Sequence, residues 1–241
     1  KTLRREAIYN GSNLNPTVEK DSYSLINEIV EEYWKKEILE IEIPELRGIL
    51  KTNFNRKNLI QVLTILENDS NNIFKQTFNN LKVEENLSSQ LIIYIDSLWI
   101  KFIKGWKENG KKLESSFIEI AKNLKSKGIS DAKPYSTKPK KNRYNLLSNW
   151  IEEYTDKKRP SYEDIQNQIL INKYFHPKNL LRLNNKYKIE DSSTKKIKIL
   201  LEYIGDLYDS PSEFVWEHAL LWTKKELEKR KSKQGLINYS D

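Results

Sequence analysis

The chain of 241 residues contains no cysteine, no methionine and only seven glycines. The absence of cysteine excludes disulfides, thiolate zinc sites and cysteine nucleophiles. The longest apolar run, Leu91–Ile95, ends at Asp96 and is far shorter than the roughly 18–20 residues that a transmembrane helix needs. Few glycines, and no run of alternating β-branched residues between turn signals, argue against an all-β fold.

Motifs for phosphate loops and nucleophilic serines are also missing. The sequence has neither GxGxxG nor GxxxxGK[ST], and no serine lies in a nucleophile-elbow context. No two of the acidic residues stand out as a catalytic pair. We therefore predict a non-enzymatic protein that uses no cofactor and no metal ion.

The chain has two histidines, His176 and His218. Glu213 and Glu217 have the spacing of ligands on one helix face, but His218 follows Glu217 directly and lies about 100° further round the helix, so a metal site is not expected. We expect His218 to lie on a helix surface or at an interface, and His176, before a proline, to be a turn residue. The alternative is a hydrolase or nuclease with His218 as general base, which would need an orienting acid and a substrate pocket.

Helical periodicity dominates the rest of the sequence. Apolar residues recur every three or four positions, as on the buried face of a helix, and five tryptophans fall on these faces. Gly110 is expected to close one helix and Ser210-Pro211 to start another. Leu39–Ile43 is expected to be an extended connection or a short strand. The predicted helices are Ser22–Leu39, Asn55–Leu66, Ile73–Leu81, Ser88–Lys107, Leu113–Leu124, Leu146–Tyr154, Tyr162–Leu170 with its N-cap at Ser161, Pro177–Leu183, Thr194–Tyr208 and Pro211 to about Lys231.

Nearly all of the net charge lies in one segment, Lys122–Arg143. It contains eight basic side chains and one acid, Asp131, which is +7 of the formal +8 of the chain. It also contains Gly128, Pro134 and Pro139 and lacks apolar periodicity. We therefore predict an all-α protein of two bundle-like helical lobes, residues 1–121 and 144–241, joined by a basic hinge, residues 122–143.

The basic hinge contains the candidate binding residues. Lysine and arginine neutralise phosphates, and an interleaved aromatic ring can stack on an unpaired base. Tyr135 and Tyr144 lie in or beside the hinge, where no core is expected to contact them. The candidate nucleic-acid-binding residues are Lys133, Tyr135, Lys138, Lys140, Lys141 and Arg143. A connecting linker without binding function would have the same composition.

Residues 144–183 also permit a helix-turn-helix interpretation. Three short predicted helices follow one another with tight breaks. A recognition helix needs polar groups near its start that can read base edges, and Lys178, Asn179 and Arg182 have the required chemistry. Further basic residues in and just beyond this region are Arg159, Lys173, Lys186 and Lys188.

Two segments resemble, in hydrophobic pattern, the N-terminal helical bundle of transcription elongation factors. They are Leu59–Leu66 and Tyr94–Lys107, and the second carries Trp99 and Trp106. That bundle is a docking module which also ends in a Trp-bearing helix. The resemblance covers about 50 residues and rests on hydrophobic pattern alone, so neither a function nor site residues are carried over from it.

The favoured function is binding of nucleic acid or another polyanion through the basic hinge. The alternative in the same class is a helical scaffold for a protein partner, which could be a mature surface or secreted protein. The first residue is Lys1, so the sequence is expected to be a processed or trimmed product. No intact signal peptide is visible, which favours an intracellular location, and a secreted or surface form stays open.

Overall fold

A computed structural model describes residues 23–68, 77–129, 135, 142–155, 158–189 and 197–234. Helices make up most of these residues, and no strand occurs among them apart from an isolated bridge between Thr155 and Lys158. The predicted all-α class is therefore confirmed. The helices are α1 (Tyr23–Tyr33), α2 (Ile43–Leu50), α3 (Arg56–Asn68), α4 (Leu87–Ser126), α5 (Arg143–Glu152), α6 (Tyr162–Asn167), α7 (Pro177–Tyr187) and α8 (Lys198–Gln234), with π-helical turns at Trp34–Ile38 and Ile171–Phe175.

The chain forms two compact units, and each is discontinuous in sequence. The first unit comprises Lys1–Glu42, Thr52–Gln90 and Phe214–Asp241, and the second comprises Ile43–Lys51 and Leu91–Glu213. Helices α4 and α8 each contribute residues to both units. The boundaries of the predicted lobes stay a prediction. Residues 122–143 fall within the second unit.

Aromatic packing and ion pairs stabilise the first unit. Trp34 stacks on Phe54 with ring centroids 5.5 Å apart, and Trp216 meets the same phenylalanine edge to face at 5.0 Å. Arg230 of α8 forms ion pairs with Glu28 and Glu32 of α1. The apolar stripe of α1 therefore packs as its periodicity predicted, and Trp34 is buried as expected.

The predicted end of a helix at Gly110 is wrong, because α4 runs through it to Ser126. Gly110 is buried, and the ring of Trp106 lies 3.4–3.5 Å from the position that a Cβ would take there. The apolar stripe continues beyond Gly110 through Leu113, Phe117 and Ile120, all of which are buried. Burial of this stripe outweighs the helical cost of one glycine, which is about 1 kcal/mol relative to alanine.

The predicted helix start at Pro211 is also wrong, because α8 continues through this proline. An internal proline removes a backbone hydrogen bond and crowds the preceding turn, at a cost of roughly 3 kcal/mol. Two side chains of α6 bind a backbone carbonyl that lies three residues before this proline. Tyr162 Oη and Gln166 Nε2 both donate to the carbonyl oxygen of Tyr208, at 2.8 and 2.7 Å.

Smaller differences concern helix ends. The segment Leu39–Ile43 is not a strand: residues 39–42 form a turn and a short connection, and α2 begins at Ile43. Of the predicted helix Ile73–Leu81, residues 73–76 lie outside the described residues and 77–81 are not helical. The predicted N-cap at Ser161 is confirmed, with a reciprocal capping box to Asp164. None of the helices in the described ranges is long and apolar enough to cross a membrane.

Helix α2 packs closely against α6 within the second unit. A Cβ added to Gly48 would lie 2.8 Å from the carbonyl carbon of Tyr162 and 2.9 Å from the backbone nitrogen of Glu163. Both contacts are to backbone, so a side-chain rotation cannot relieve them. This glycine is required by the close approach of the two helices.

Gly48→Ala should therefore lower the free energy of unfolding by about 1–3 kcal/mol, the usual cost of overpacking. Gly110→Ala is the matched control. Its added methyl would make ordinary contacts with Trp106, so we expect it to be neutral or to stabilise by up to about 1 kcal/mol. Urea denaturation followed by circular dichroism measures both variants, and equal stability of the two would contradict the packing argument.

Candidate functional site

Two of the six predicted binding residues lie within the described ranges. These are Tyr135 and Arg143. The others lie outside the described residues, and they are Lys133, Lys138, Lys140 and Lys141.

Tyr135 is buried, so the expectation that no core would contact it is wrong. Its hydroxyl donates to Asn184 Oδ1 at 2.6 Å, and its ring meets Phe117 edge to face at 4.9 Å. Burial raises the pKa of this hydroxyl far above its usual value. A side chain that is 2% exposed cannot stack on a base. Tyr135 instead anchors the chain to α4 and α7.

Arg143 is the first residue of α5 and lies over a tyrosine ring. Its guanidinium carbon is 4.9 Å from the ring centroid of Tyr174, and Lys173 Nζ lies 5.9 Å from the same centroid. Arg143 Nε is buried and has no hydrogen-bond partner among the described atoms. Two cations therefore share one ring, at a distance where cation–π attraction is effective.

A small polar cleft lies at the C-terminal ends of α4 and α7. Its volume is about 220 Å³, and Lys127 and Lys188 both line it. Each helix ends at a residue with positive φ, 78° at Gly128 and 52° at Lys188. In each case the N–H of the next residue bonds back to the last turn at 2.9 Å, so the helix ends are well defined. The remaining lining residues are Ile120, Asn123, Leu124, Ser126 and Ile189.

Three other exposed lysines lie on the same helix ends: Lys122, Lys125 and Lys186. None of them, and neither lysine of the cleft, forms an ion pair with a described acidic side chain. Tyr135 contacts both of these helices. We define the basic region as Lys122, Lys125, Lys127, Lys186 and Lys188.

The helix-turn-helix residues are mostly engaged locally. Lys178 Nζ pairs with Asp209 Oδ2 at 2.8 Å, and Asn179 Nδ2 donates to the carbonyl oxygen of Asn172 at 2.6 Å. Of the three predicted base-reading groups, only Arg182 is exposed without such a contact. Arg159 is also occupied, since it pairs with two carboxylates. This arrangement gives the recognition-helix interpretation little support.

A larger groove lies between α4 and the turn that follows α5. We call it the aromatic groove; its volume is about 660 Å³. Helix α4 places Trp106, and the turn after α5 places Tyr154, among its apolar residues. The apolar lining is Ile103, Trp106, Ile151 and Tyr154, and the polar lining is Lys107, Glu152 and Thr155.

The rings of the aromatic groove are held by other rings. Tyr144 stacks on Trp106 with centroids 5.3 Å apart and planes 17° apart. Tyr154 meets Trp150 and Trp99 edge to face at 5.3 and 5.9 Å. Burial, together with the nearby carboxylates, raises the pKa of Tyr144 and of Tyr154. The groove wall is therefore a packed surface of fixed rings.

A backbone turn closes one side of the groove. Trp99 Nε1 donates to the carbonyl oxygen of Thr155 at 3.0 Å. Thr155 and Lys158 exchange backbone hydrogen bonds at 3.1 and 3.2 Å, and Lys158 N also donates to Thr155 Oγ1 at 3.0 Å. Thr155 is thus fixed next to Tyr154.

His218 is fully buried, so the expectation of a surface or interface histidine is wrong. Its Nδ1 lies 2.9 Å from Tyr33 Oη, and its Nε2 is buried without a hydrogen-bond partner in the described structure. Burial lowers the pKa of the imidazole from 6.5 to about 4, with a small opposing effect from Glu84. A ring that solvent does not reach cannot take a proton from a bound substrate, so the His218 alternative gains no support.

His176, and Glu217 next to His218, have structural roles. His176 is the N-cap of α7, where its Nδ1 accepts from Lys178 N and its Nε2 lies 3.2 Å from Asp209 Oδ2. Both carboxylate oxygens of Glu217 accept hydrogen bonds from the backbone of Thr77 and Phe78, at 2.9–3.1 Å. Within the described ranges, no group of three acidic or histidine side chains could hold a metal ion.

Sequence reasoning missed the aromatic groove. It assigned Trp106 and Trp150 to buried faces, and Trp106 is indeed 9% exposed, but Trp150 and Tyr154 are only half-buried. The density of aromatic residues in Trp99–Trp106 and again in Trp150–Tyr154 was the available signal. Periodicity alone cannot show that two such segments meet at a groove.

Comparison of the chain with protein-family profiles, with characterised proteins and with solved structures gives no match.

Proposed function

We propose that this protein binds a phosphate-rich polyanion, nucleic acid, through the basic region of its second unit. The observation that carries the proposal is the pairing of Lys127 and Lys188 in one polar cleft without a described acidic partner. Like charges held close together repel each other unless a counter-ion or a ligand compensates them. The negative ends of two helix dipoles favour these cations and disfavour a nearby anion, so the attraction for a phosphate would come from the two ammonium groups.

Two further observations support the proposal. Tyr135, within the most basic segment of the sequence, contacts Phe117 of α4 and Asn184 of α7, the helices whose ends form the cleft. Lys133 precedes Tyr135 by two residues in the sequence and Lys138 follows it by three. Some basic residues elsewhere in the unit, such as Arg159 and Lys178, pair with carboxylates.

The charge reversal K127E/K188E should weaken binding to labelled oligonucleotides and reduce its salt dependence. Each phosphate contact contributes about 0.7 to the log–log salt slope for a single strand and about 0.9 for a duplex. Loss of two contacts should flatten the slope by about 1.4 to 1.8. A fluorescence-anisotropy titration over a range of salt concentrations measures this change. Helicity should stay constant, because both side chains are exposed.

The matched control is K57E/K224E. Both lysines are exposed, form no ion pair with a described acid, and belong to the first unit. The control has the same net charge as K127E/K188E, so it should leave the slope unchanged if binding is local to the basic region. A third variant, K138E/K140E/K141E, tests the predicted basic hinge and should flatten the slope by about two to three units.

Equal slopes for K127E/K188E and K57E/K224E would contradict the proposal, because only overall charge would then matter. No binding of the unsubstituted protein at about 50 mM salt would leave the protein-scaffold alternative as the better hypothesis.

A further inference from the structure

We propose that the aromatic groove binds one unpaired base of the nucleic acid, so that the preferred target is single-stranded and the preferred base carries an exocyclic amino group. This inference rests on the proposed function and identifies the class of its ligand. Three properties of the groove support it: its size, its half-buried tyrosine ring and its carboxylate.

The size of the groove suits a base with its sugar. Sites for small organic ligands typically have volumes of about 300–1,000 Å³, and the groove has about 660 Å³. The cleft at Lys127 and Lys188, at about 220 Å³, is below that range and suits a smaller group such as one phosphate. The two cavities therefore fit different parts of a nucleotide chain.

One ring of the groove is suited to stacking. Trp106 is 9% exposed and already stacks on Tyr144, whereas Tyr154 is half-buried and is held by Trp150 and Trp99, so a base would order few side chains on binding it. A purely aliphatic groove would offer no comparable preference for a flat ligand. Stacking on aromatic side chains is the usual way in which proteins bind unpaired bases, and every base has a face that can stack.

One polar group of the groove complements a base. A carboxylate accepts a hydrogen bond from an exocyclic amino group, as glutamate does from cytosine N4. Glu152 supplies that acceptor, and Ser148 Oγ donates to Glu152 Oε1 at 3.4 Å. Thymine presents a carbonyl oxygen where cytosine presents its amino group, so it would meet Glu152 unfavourably.

The test compares probes of one length: oligo-dC, oligo-dT, a backbone of abasic sites, and a duplex. Oligo-dC should bind more tightly than the abasic strand by about 5- to 150-fold, the range expected for one stacked base. Oligo-dT should fall between the two. Tyr154→Ala should reduce binding of oligo-dC to the level of the abasic strand, while Tyr154→Phe, which keeps the ring, should not.

A second variant does not depend on the packing of an aromatic residue. Glu152 is exposed, so Glu152→Gln should fold normally. The amide can donate to a carbonyl oxygen as well as accept from an amino group, so the preference for oligo-dC over oligo-dT should disappear. Duplex affinity and the salt slope should stay the same in both groove variants, because phosphate contacts in the basic region are unaffected.

The outcomes separate this inference from the proposed function. Equal, salt-dependent binding of oligo-dC and the abasic strand would overturn the base-binding site and leave the polyanion proposal intact. Retention of the oligo-dC preference in both Tyr154→Ala and Glu152→Gln would overturn the assignment to this groove. No binding of any of the four probes would overturn the proposed function and this inference together.

Discussion

Acidification from about pH 7 to about pH 4.5 should remove about 2–3 kcal/mol of stability through one buried histidine, and His218→Gln should abolish that loss. The pKa of His218 is about 4 in the folded protein, because burial lowers it from its ordinary value of 6.5. Below pH 6.5 the unfolded chain binds a proton that the folded chain excludes. The stability that the neutral imidazole contributes is therefore complete above pH 6.5 and is lost as the pH falls towards 4.

The cause is the burial of the ring. His218 has Tyr33 Oη at Nδ1 and no partner at Nε2, so a proton added at Nε2 would introduce a charge without a described acceptor. Glu84 favours the charged form, but its effect is smaller than that of burial. Glutamine can keep a hydrogen bond to Tyr33 and does not titrate, which makes it the informative substitution.

Urea denaturation at the two pH values measures the difference. The carboxylates of the protein contribute equally to parent and variant, so they cancel when the pH-dependent losses are compared. Tyr33→Phe is the matched control, because it removes the hydroxyl and leaves the histidine buried. We expect Tyr33→Phe to retain the pH-dependent loss. An equal loss in His218→Gln would show that other groups cause it.

The helices were largely predictable because each buries an apolar stripe whose period can be read in the sequence. The two wrong helix ends have one cause in common. Gly110 and Pro211 are local signals for a helix break, but in both places contacts with other residues keep the helix continuous. The ring of Trp106 packs over Gly110, and Tyr162 Oη donates to the carbonyl oxygen of Tyr208, three residues before the proline. Helix propensities describe the unfavourable free energy of the glycine or proline itself. The contact that compensates it comes from elsewhere on the helix or from a distant segment, which propensities do not include.

The candidate site was predictable only in its charge. Lys127 was visible in the sequence as part of a basic segment, whereas its meeting with Lys188 depends on where two helices end. Tyr135 was assigned to solvent because its neighbours are lysines and prolines. Its burial depends on Phe117 and Asn184, 18 residues before it and 49 residues after it in sequence. Contacts over such separations have no signature in a local pattern.

The largest effect of a single substitution is expected at Arg159. Arg159→Met should lower the free energy of unfolding by about 3–5 kcal/mol, because it removes one partner of a buried ion pair. Arg159 Nη1 lies 2.6 Å from Glu45 Oε1, and the two side chains are 14% and 5% exposed. Asp96 also pairs with this guanidinium, but it is 51% exposed and can be hydrated when the arginine is absent. The loss of stability therefore comes mainly from the carboxylate of Glu45, which stays buried without its arginine partner.

The double substitution R159M/E45M isolates that cause. Replacing both partners of a buried pair by apolar side chains of similar size is often neutral, so the double variant should recover most of the stability that Arg159→Met loses. Arg159→Lys should recover only part of it, because an ammonium group cannot reach Glu45, Asp96 and the carbonyl oxygen of Pro160 with one planar fork. Chemical denaturation of the four proteins gives the comparison. If R159M/E45M is no more stable than Arg159→Met, the cost does not come from a carboxylate left buried alone, and the contribution of Arg159 lies in its packing and its bond to Pro160.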